Sequence, residues 1–333
     1  NNFPTFRAKQ LYHWMYRHGV NEVNQMNNIP KEMSELLSKE YQFKTLQIEE
    51  IQSSEKENTK KILFKTHDNK LIESVSMIDK NLHTICISSQ VGCSVDCKFC
   101  ATGEMGFMRS LSCGEIIDQF IEIAKMREEP ITNVVYMGMG EPFLNYNEVI
   151  KSAEILQDPH GMNLGRNRIT ISTSGILPKI KQFIEEKQPY KLAISLNASD
   201  NETRTKIIPI NKKWNIQELI TTLKNYPSLS NSERITFEYV MLRDVNDSLD
   251  DAKRLVKLIK NIPAKINLIP FNPWPGSKYQ TSEPATVEIF SNFIKKAGYS
   301  SPVRRPRGVD IMAACGQLKS NSVKIKSSQN KNI

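Results

Sequence analysis

The sequence lacks any run of 18 apolar residues, so none of it reads as a membrane-spanning helix. Its opening stretch, NNFPTFRAKQLYHW, lacks the basic-then-apolar layout of a secretory leader. Together these absences predict a cytoplasmic protein with no membrane attachment. Cysteine is scarce, with six in 333 residues, which argues against a disulfide framework. Acidic residues are fewer than basic ones, 36 against 45, and the net charge of +9 favours a polyanionic partner, RNA or DNA first. Hydrophobic and charged contents of 39% and 24% are ordinary for a globular chain of one large domain, or one large and one small.

The chain changes texture along its length. Residues 1–45 read as a small helical accessory domain: in FRAKQLYHWMYRHGV, Phe6, Leu11, Trp14 and Met15 fall near one stripe, and Gly19 is a stop. A second helix is expected from about Pro30 to Glu40. Residues 46–81 read as a β-rich connection, with a turn at Asp68-Asn69 between KKILFKTHD and KLIESVSMID. From 82 to 318 short β-rich runs (LHTICISSQ, TNVVYMGMG, NRITISTSG, KLAISLNA, RITFEYVML, AKINLIPF) alternate with amphipathic helical stretches, which predicts a parallel α/β sheet. Six such units suit a partial, TIM-like (β/α)6 barrel better than a closed eight-fold one. A further unit, TVEIFSNFIKKAGYSSPVRRPRG, adds a helix and an edge strand. Residues 319–333 are polar and low in complexity, and a disordered basic tail is expected there.

Four of the six cysteines lie within fifteen positions, and three of them form C-x3-C-x2-C in VGCSVDCKFCATG: Cys93, Cys97 and Cys100. Close thiolates in one loop suit a soft metal or an iron–sulfur cluster. A [4Fe-4S] cluster ordinarily takes four cysteines, so three would leave one iron open to bind a substrate. Phe99 would shield one side. The other reading is a structural zinc site or unligated thiols, although zinc sites usually pair two C-x2-C motifs and no second pair stands nearby. Polar and glycine residues cluster just after the predicted strands, in MGMGEP, STSG, SLNAS and FNPWPG, where parallel α/β sheets bind ligands.

The cysteine spacing, the aromatic before the third cysteine and the position after a first barrel strand resemble the radical S-adenosylmethionine (SAM) superfamily. That resemblance implies the partial barrel and a [4Fe-4S] cluster whose open iron binds SAM. CISSQVGC, GMGEP, STSG, PINK, FNPWPG and ACGQL stand in order across residues 86–318. As a set they are similar to bacterial dual-specificity methyltransferases acting on adenine C2 of 23S ribosomal RNA and transfer RNA, over nearly the whole chain.

The resemblance implies site roles residue by residue. Gly140, Glu141, Ser172, Ser195, Leu196, Asn197 and Asn272 would contact SAM, with Asn197 standing where the family often has His. Cys315 would accept a methyl group from one SAM, and a second SAM would start the radical step that joins this carbon to adenine C2. Glu73 would take the C2 proton. Cys86 would free the methylated RNA by forming a transient disulfide with Cys315. Cys113 matches no catalytic position. Arg304, Arg305 and Arg307 suit RNA contact, and Trp274 suits the core. A flavodoxin or ferredoxin would supply electrons to a monomeric enzyme. The alternative within the fold is an adenine C8-methyltransferase of the antibiotic-resistance type. That branch tends to carry Ala where Pro142 follows Glu141 here.

Overall fold

A computed structural model describes residues 3–126, 129–227 and 234–320. Two helices open the chain, α1 (Phe6–Tyr16) and α2 (Lys31–Glu40). The chain leaves α1 through Gly19 at φ +66°, a left-handed conformation that costs glycine little. Leu11, Trp14 and Met15 pack against a small core of Val23, Met26, Ile29 and Met33. Phe6, on the same sequence stripe, is exposed instead and lies beneath the Arg7 guanidinium, 4.8 Å from its ring centre. Polar contacts seat this unit on the larger body: the Tyr12 hydroxyl donates to Asp158 (3.0 Å) and the Asn21 amide to Glu122 (3.1 Å).

Three strands follow: β1 (Leu46–Ser53), β2 (Thr59–Thr66) and β3 (Leu71–Asp79). They form an antiparallel meander, with Asn69 at φ +60° in the β2–β3 turn. β3 pairs antiparallel with β4 (Leu82–Cys86), so the meander continues the barrel's own sheet rather than merely leading into it. A separate two-stranded ribbon, β5 (Gln90–Gly92) and β6 (Phe107–Ser110), brackets the cysteine loop and the one-turn helix α3 (Ala101–Glu104).

From β4 the sheet runs in chain order through β7 (Asn133–Tyr136), β8 (Ile169–Thr173), β9 (Lys191–Ser195), β10 (Ile235–Met241) and β11 (Ala264–Pro270). All five of these pairings are parallel, giving six parallel strands in a nine-stranded sheet among the described residues. β10, ITFEYVM, is buried at every position, as expected of an inner strand covered on both faces.

Helices join the strands: α4 (Cys113–Ala124), α5 (Tyr146–Gln157), α6 (Leu177–Glu185), α7 (Asn201–Ile207), α8 (Ile216–Leu223), α9 (Leu249–Leu258) and α10 (Pro284–Lys296). Ser112, Asn215 and Ser248 start α4, α8 and α9 through capping boxes, with Glu115, Glu218 and Asp251 bonding back. After α10, residues 300–303 add a short parallel edge to β11, bridging Lys265 to Ser300 and Leu268 to Val303.

The chain then leaves the β11 edge and returns to the meander. Arg307 pairs with Glu57 (3.0 Å) and Asp79 (2.6 Å), and Asp310 accepts from the Ser54 hydroxyl (2.9 Å). Ser320 is buried and donates to the Leu71 carbonyl (2.8 Å). Lys319 and Ser320, grouped by sequence with the basic tail, are therefore anchored. The rest of that predicted tail, 321–333, lies outside the described residues.

Candidate active site

Every motif singled out after a strand lies at the carboxyl end of the parallel sheet. Cys86 closes β4, GMGEP follows β7, STSG ends β8, SLNAS ends β9 and FNPWPG follows β11. One rim therefore gathers residues spread over nearly two hundred positions.

The cysteine loop is shaped by its own backbone. Gly92 sits at φ +74°, and a Cβ there would stand 1.9 Å from the Gly106 carbonyl oxygen. Glycine alone permits this approach, and Cys93 N–H donates to that same oxygen (2.9 Å). Asp96 takes φ +57° at the tip, and Cys100 N–H donates to the Cys97 carbonyl (3.0 Å). Backbone N–H groups also point at sulfur, Val95 at Cys93, and Thr102 and Gly103 at Cys100. Burial pushes the Cys93 thiol up to about 12 and raises Cys97 and Cys100 as well. Phe99 and Trp274 pack with these cysteines in one apolar cluster.

Among the described residues no group of three or more His, Cys, Asp or Glu side chains is set to hold a single metal ion. A multi-iron cluster asks for thiols spread around a larger body, with N–H groups aimed at the sulfurs. The loop fits that group. A ligand at the rim also fits: Asn267 donates to Glu238 (2.8 Å) while its own Oδ1 is buried without a partner among the described residues.

Glu141 is buried and bridges two strand-end loops. One carboxylate oxygen accepts from Phe143 N–H (3.0 Å), the other from Ser174 N–H (2.8 Å) and the Ser174 hydroxyl (2.7 Å). Burial raises its pKa, and its charge adds to the rise at Cys93 and Cys97, which places it beside the cysteine loop. Gly140, at φ +100°, leaves room for the Gln90 side chain, which a Cβ would meet at 2.5 Å. Ser172 is buried within the end of β8. Ser195 and Leu196 turn their carbonyls to Arg204 (3.2 and 3.1 Å).

Two predicted SAM contacts carry a structural bond as well. Asn197, at φ +55°, accepts from Val240 N–H (2.7 Å) through its side-chain oxygen. Asn272 donates to the Cys315 carbonyl (3.1 Å).

The C-terminal loop carrying Cys315 is clasped to the cysteine loop. Ala101 N–H donates to the Gly316 carbonyl (2.8 Å), the Thr102 hydroxyl to the Leu318 carbonyl (2.6 Å) and the Trp274 indole to the Phe99 carbonyl (3.0 Å). Gln317 donates to the Pro273 carbonyl (2.7 Å). Trp274 is thus core, as expected, and also a link between loops. Cys315 is open to solvent, yet enough protein surrounds its thiol that burial pushes it up to about 12. Cys100, Cys86 and Glu238 reinforce that rise and Arg304 opposes it, which brings the three thiols into one neighbourhood. Cys86 is likewise raised to about 12 by burial.

Glu73, on β3, is buried. Its carboxylate pairs with Lys61 (3.1 Å) and accepts from the Lys319 main-chain N–H (2.8 Å), so the C-terminal loop reaches it too. Arg304 and Arg305 are exposed, whereas Arg307 is half-buried and paired with two carboxylates. Cys113 opens α4 and is buried, its N–H donating to Glu148 (2.7 Å). Sequence reasoning missed Lys61 and Arg204. Each stands among other basic residues, Lys60 beside Lys61 and Lys206 near Arg204, and nothing local signals which of them is buried.

Comparison with known proteins follows this geometry. Residues 87–259 match the model of the radical SAM superfamily, and residues 3–42 match that of the ribosomal RNA large subunit methyltransferase N-terminal domain. The "Dual-specificity RNA methyltransferase RlmN" of Paracoccus denitrificans is 47% identical over 94% of this chain and 83% of its own length. The protein of the same name from Sinorhizobium fredii is 46% identical over 96% and 83%. A crystal structure of a radical SAM methyltransferase from Sphaerobacter thermophilus superposes with a TM-score of 0.90 at 38% identity, covering 95% of this chain and 93% of that one. With its six parallel strands, its three-cysteine loop and these relatives, the chain belongs to the RlmN family of the radical SAM superfamily.

Proposed function

We propose that this protein is a SAM-dependent RNA methyltransferase that methylates C2 of an adenine in 23S ribosomal RNA and of one in transfer RNA. The observation that carries the reading is the clasp between the Cys315 loop and the cysteine loop, which sets Cys315 beside the segment that follows Cys100. Cys93, Cys97 and Cys100 would hold a [4Fe-4S] cluster. When bound, the cluster supplies the electron that cleaves SAM and begins radical chemistry.

The remaining steps belong to this chain's own residues. Cys315 sulfur displaces the methyl group of a first SAM, forming a thioether. A second SAM, cleaved with the cluster's electron, would supply the carbon radical that takes a hydrogen atom from that methyl; the carbon left on Cys315 would bond to adenine C2, and the adduct's surplus electron would return to the cluster. Glu73 takes the C2 proton, held in line by Lys61 and the Lys319 N–H. Deprotonated Cys86 sulfur attacks Cys315 sulfur, the Cys315 sulfur–carbon bond breaks with its electron pair going to carbon, that carbon takes up a proton to become the methyl group, and methylated RNA departs from a disulfide. Both thiols are raised by burial, so each must lose its proton to act; Arg304 helps at Cys315 and the positive sulfonium of SAM would help further.

Gly140, Glu141, Ser172, Ser195, Leu196, Asn197 and Asn272 line the rim where SAM would sit. Exposed Arg304 and Arg305 face the RNA side. Electrons would come from a flavodoxin or ferredoxin, and the protein would act as a cytoplasmic monomer. Among the described residues no helix is long and apolar enough to cross a membrane.

The C8 alternative is not favoured, because Pro142 follows Glu141 and the curated relatives carry the dual-specificity name. Mass spectrometry of digested RNA, after treatment with anaerobically reconstituted enzyme, SAM and a reductant, decides the matter. The expected product is 2-methyladenosine. Detection of 8-methyladenosine would move the chain to the other branch.

A further inference from the structure

Arg204, on α7, is fully buried and is among the largest side chains with no exposed surface. Its guanidinium donates to four neutral oxygens: the carbonyls of Leu196 (3.1 Å), Ser195 (3.2 Å) and Ser174 (2.5 Å), and the side chain of Asn211 (2.9 Å). Among the described residues no carboxylate stands within ion-pair distance of it. Hydrogen bonds to carbonyls satisfy its N–H groups but leave its charge uncompensated. A buried charge in that condition bears a desolvation penalty that hydrogen bonds alone do not offset.

Burial lowers the Arg204 pKa to about 10, and the charged neighbours that oppose this fall are the Cys97 sulfur and Glu141. Ser174 links the second of these to it. Its N–H and hydroxyl hold the Glu141 carboxylate while its carbonyl accepts from Arg204. The arginine therefore lies behind the cysteine loop and ties together the ends of β8 and β9 and the PINK turn, through Asn211. Three thiolates gathered at Cys93, Cys97 and Cys100 would add negative charge beyond that of Glu141, which reaches Arg204 only through Ser174.

We propose that Arg204 is the charge partner of the iron–sulfur cluster, a positioning residue that favours the cluster's reduced, more negative state. This rests on the reading that the three cysteines hold a cluster. Cluster potentials respond to nearby charge and hydrogen bonding, and a fixed cation raises them. Removing the cation should make reduction harder.

The test compares full-length wild type, Arg204→Met and Arg204→Lys, each reconstituted anaerobically. Iron and sulfide content are measured, and the cluster's reduction is followed by electron paramagnetic resonance against solution potential. Arg204→Met should shift the reduction equilibrium at least tenfold toward the oxidised form, about 59 mV lower for one electron. Arg204→Lys, which keeps the charge but not the planar fork, should stay near wild type. An unchanged potential in a fully iron-loaded Arg204→Met would overturn the proposal and leave Arg204 a mere clasp. A fall in Arg204→Lys as large as in Arg204→Met would also overturn it. If Arg204→Met does not retain iron, Arg204→Lys decides alone: a native potential supports the charge role and a tenfold fall refutes it. Wild type that holds no iron would refute the cluster reading itself, a result distinct from all of these.

Discussion

The two loops that meet at the active site reach their shape by opposite routes. The cysteine loop is mainly local: eight residues from Cys93 to Cys100, set by a glycine contact and short-range backbone hydrogen bonds, with distant support from Ile207 and Trp274 at Lys98 and Phe99. The Cys315 loop is non-local, and its bonds run to Ala101, Thr102, Asn272 and Pro273, dozens to hundreds of residues away. A local loop keeps its geometry as long as its own strands pair. A loop held by distant partners depends on the whole barrel being folded, and gives the chemistry a part that can be removed without emptying the site.

That difference can be broken from either side. The largest effect is expected at Cys93→Ala, which should lose iron and with it both SAM cleavage and methyl transfer, read as iron content and 5′-deoxyadenosine formation. Cys315→Ala should split the two activities: iron content and SAM cleavage persist while methylated adenosine disappears. Persistence of methyl transfer there would rule out the thioether route.

A third measurement addresses the thiol itself. With Cys315 pushed up to about 12, its alkylation by iodoacetamide in the iron-free protein should be about 10²-fold slower at pH 8 than that of an unperturbed thiol, once the greater nucleophilicity of a high-pKa thiolate is counted. The sign follows from the direction of the shift. Below about 12 the group is mostly protonated, so the rate should climb about tenfold per pH unit. Mapping the labelled cysteine by peptide mass spectrometry separates it from the other five.

The smallest effect is expected at Thr102→Val, which removes the hydroxyl that the buried Leu318 carbonyl accepts from. The loss should cost about 1–2 kcal/mol of stability by denaturant unfolding. Methyl transfer should fall a few-fold at unchanged iron content. A drop in iron content instead would mean that the two loops are not separable.

Much of this site was legible before any coordinates. The C-x3-C-x2-C spacing, the β/α alternation and the turn residues after each strand are local patterns, and chain-order pairing in the parallel sheet turned them into one rim. The antiparallel meander was read only as a connection, because residues 46–81 carry no signal for which strand they will join. The stripe in α1 was right for Leu11, Trp14 and Met15 and wrong for Phe6, since periodicity assigns a face but not the extent of what covers it. Arg307 looks identical to Arg304 in sequence, yet among the described residues it alone pairs with carboxylates 228 and 250 positions away.

The sequence by itself determined the parallel barrel and the cysteine loop, because strand periodicity, glycine freedom and motif spacing act over a few residues. Tertiary structure alone decided that Cys315 returns across the sheet to Cys86 and the cluster loop, that Lys61 and Lys319 hold Glu73, and that Arg204 is buried without a carboxylate. Burial and charge compensation depend on which distant segments pack together, and that information resides in the folded contacts rather than in any window of the chain.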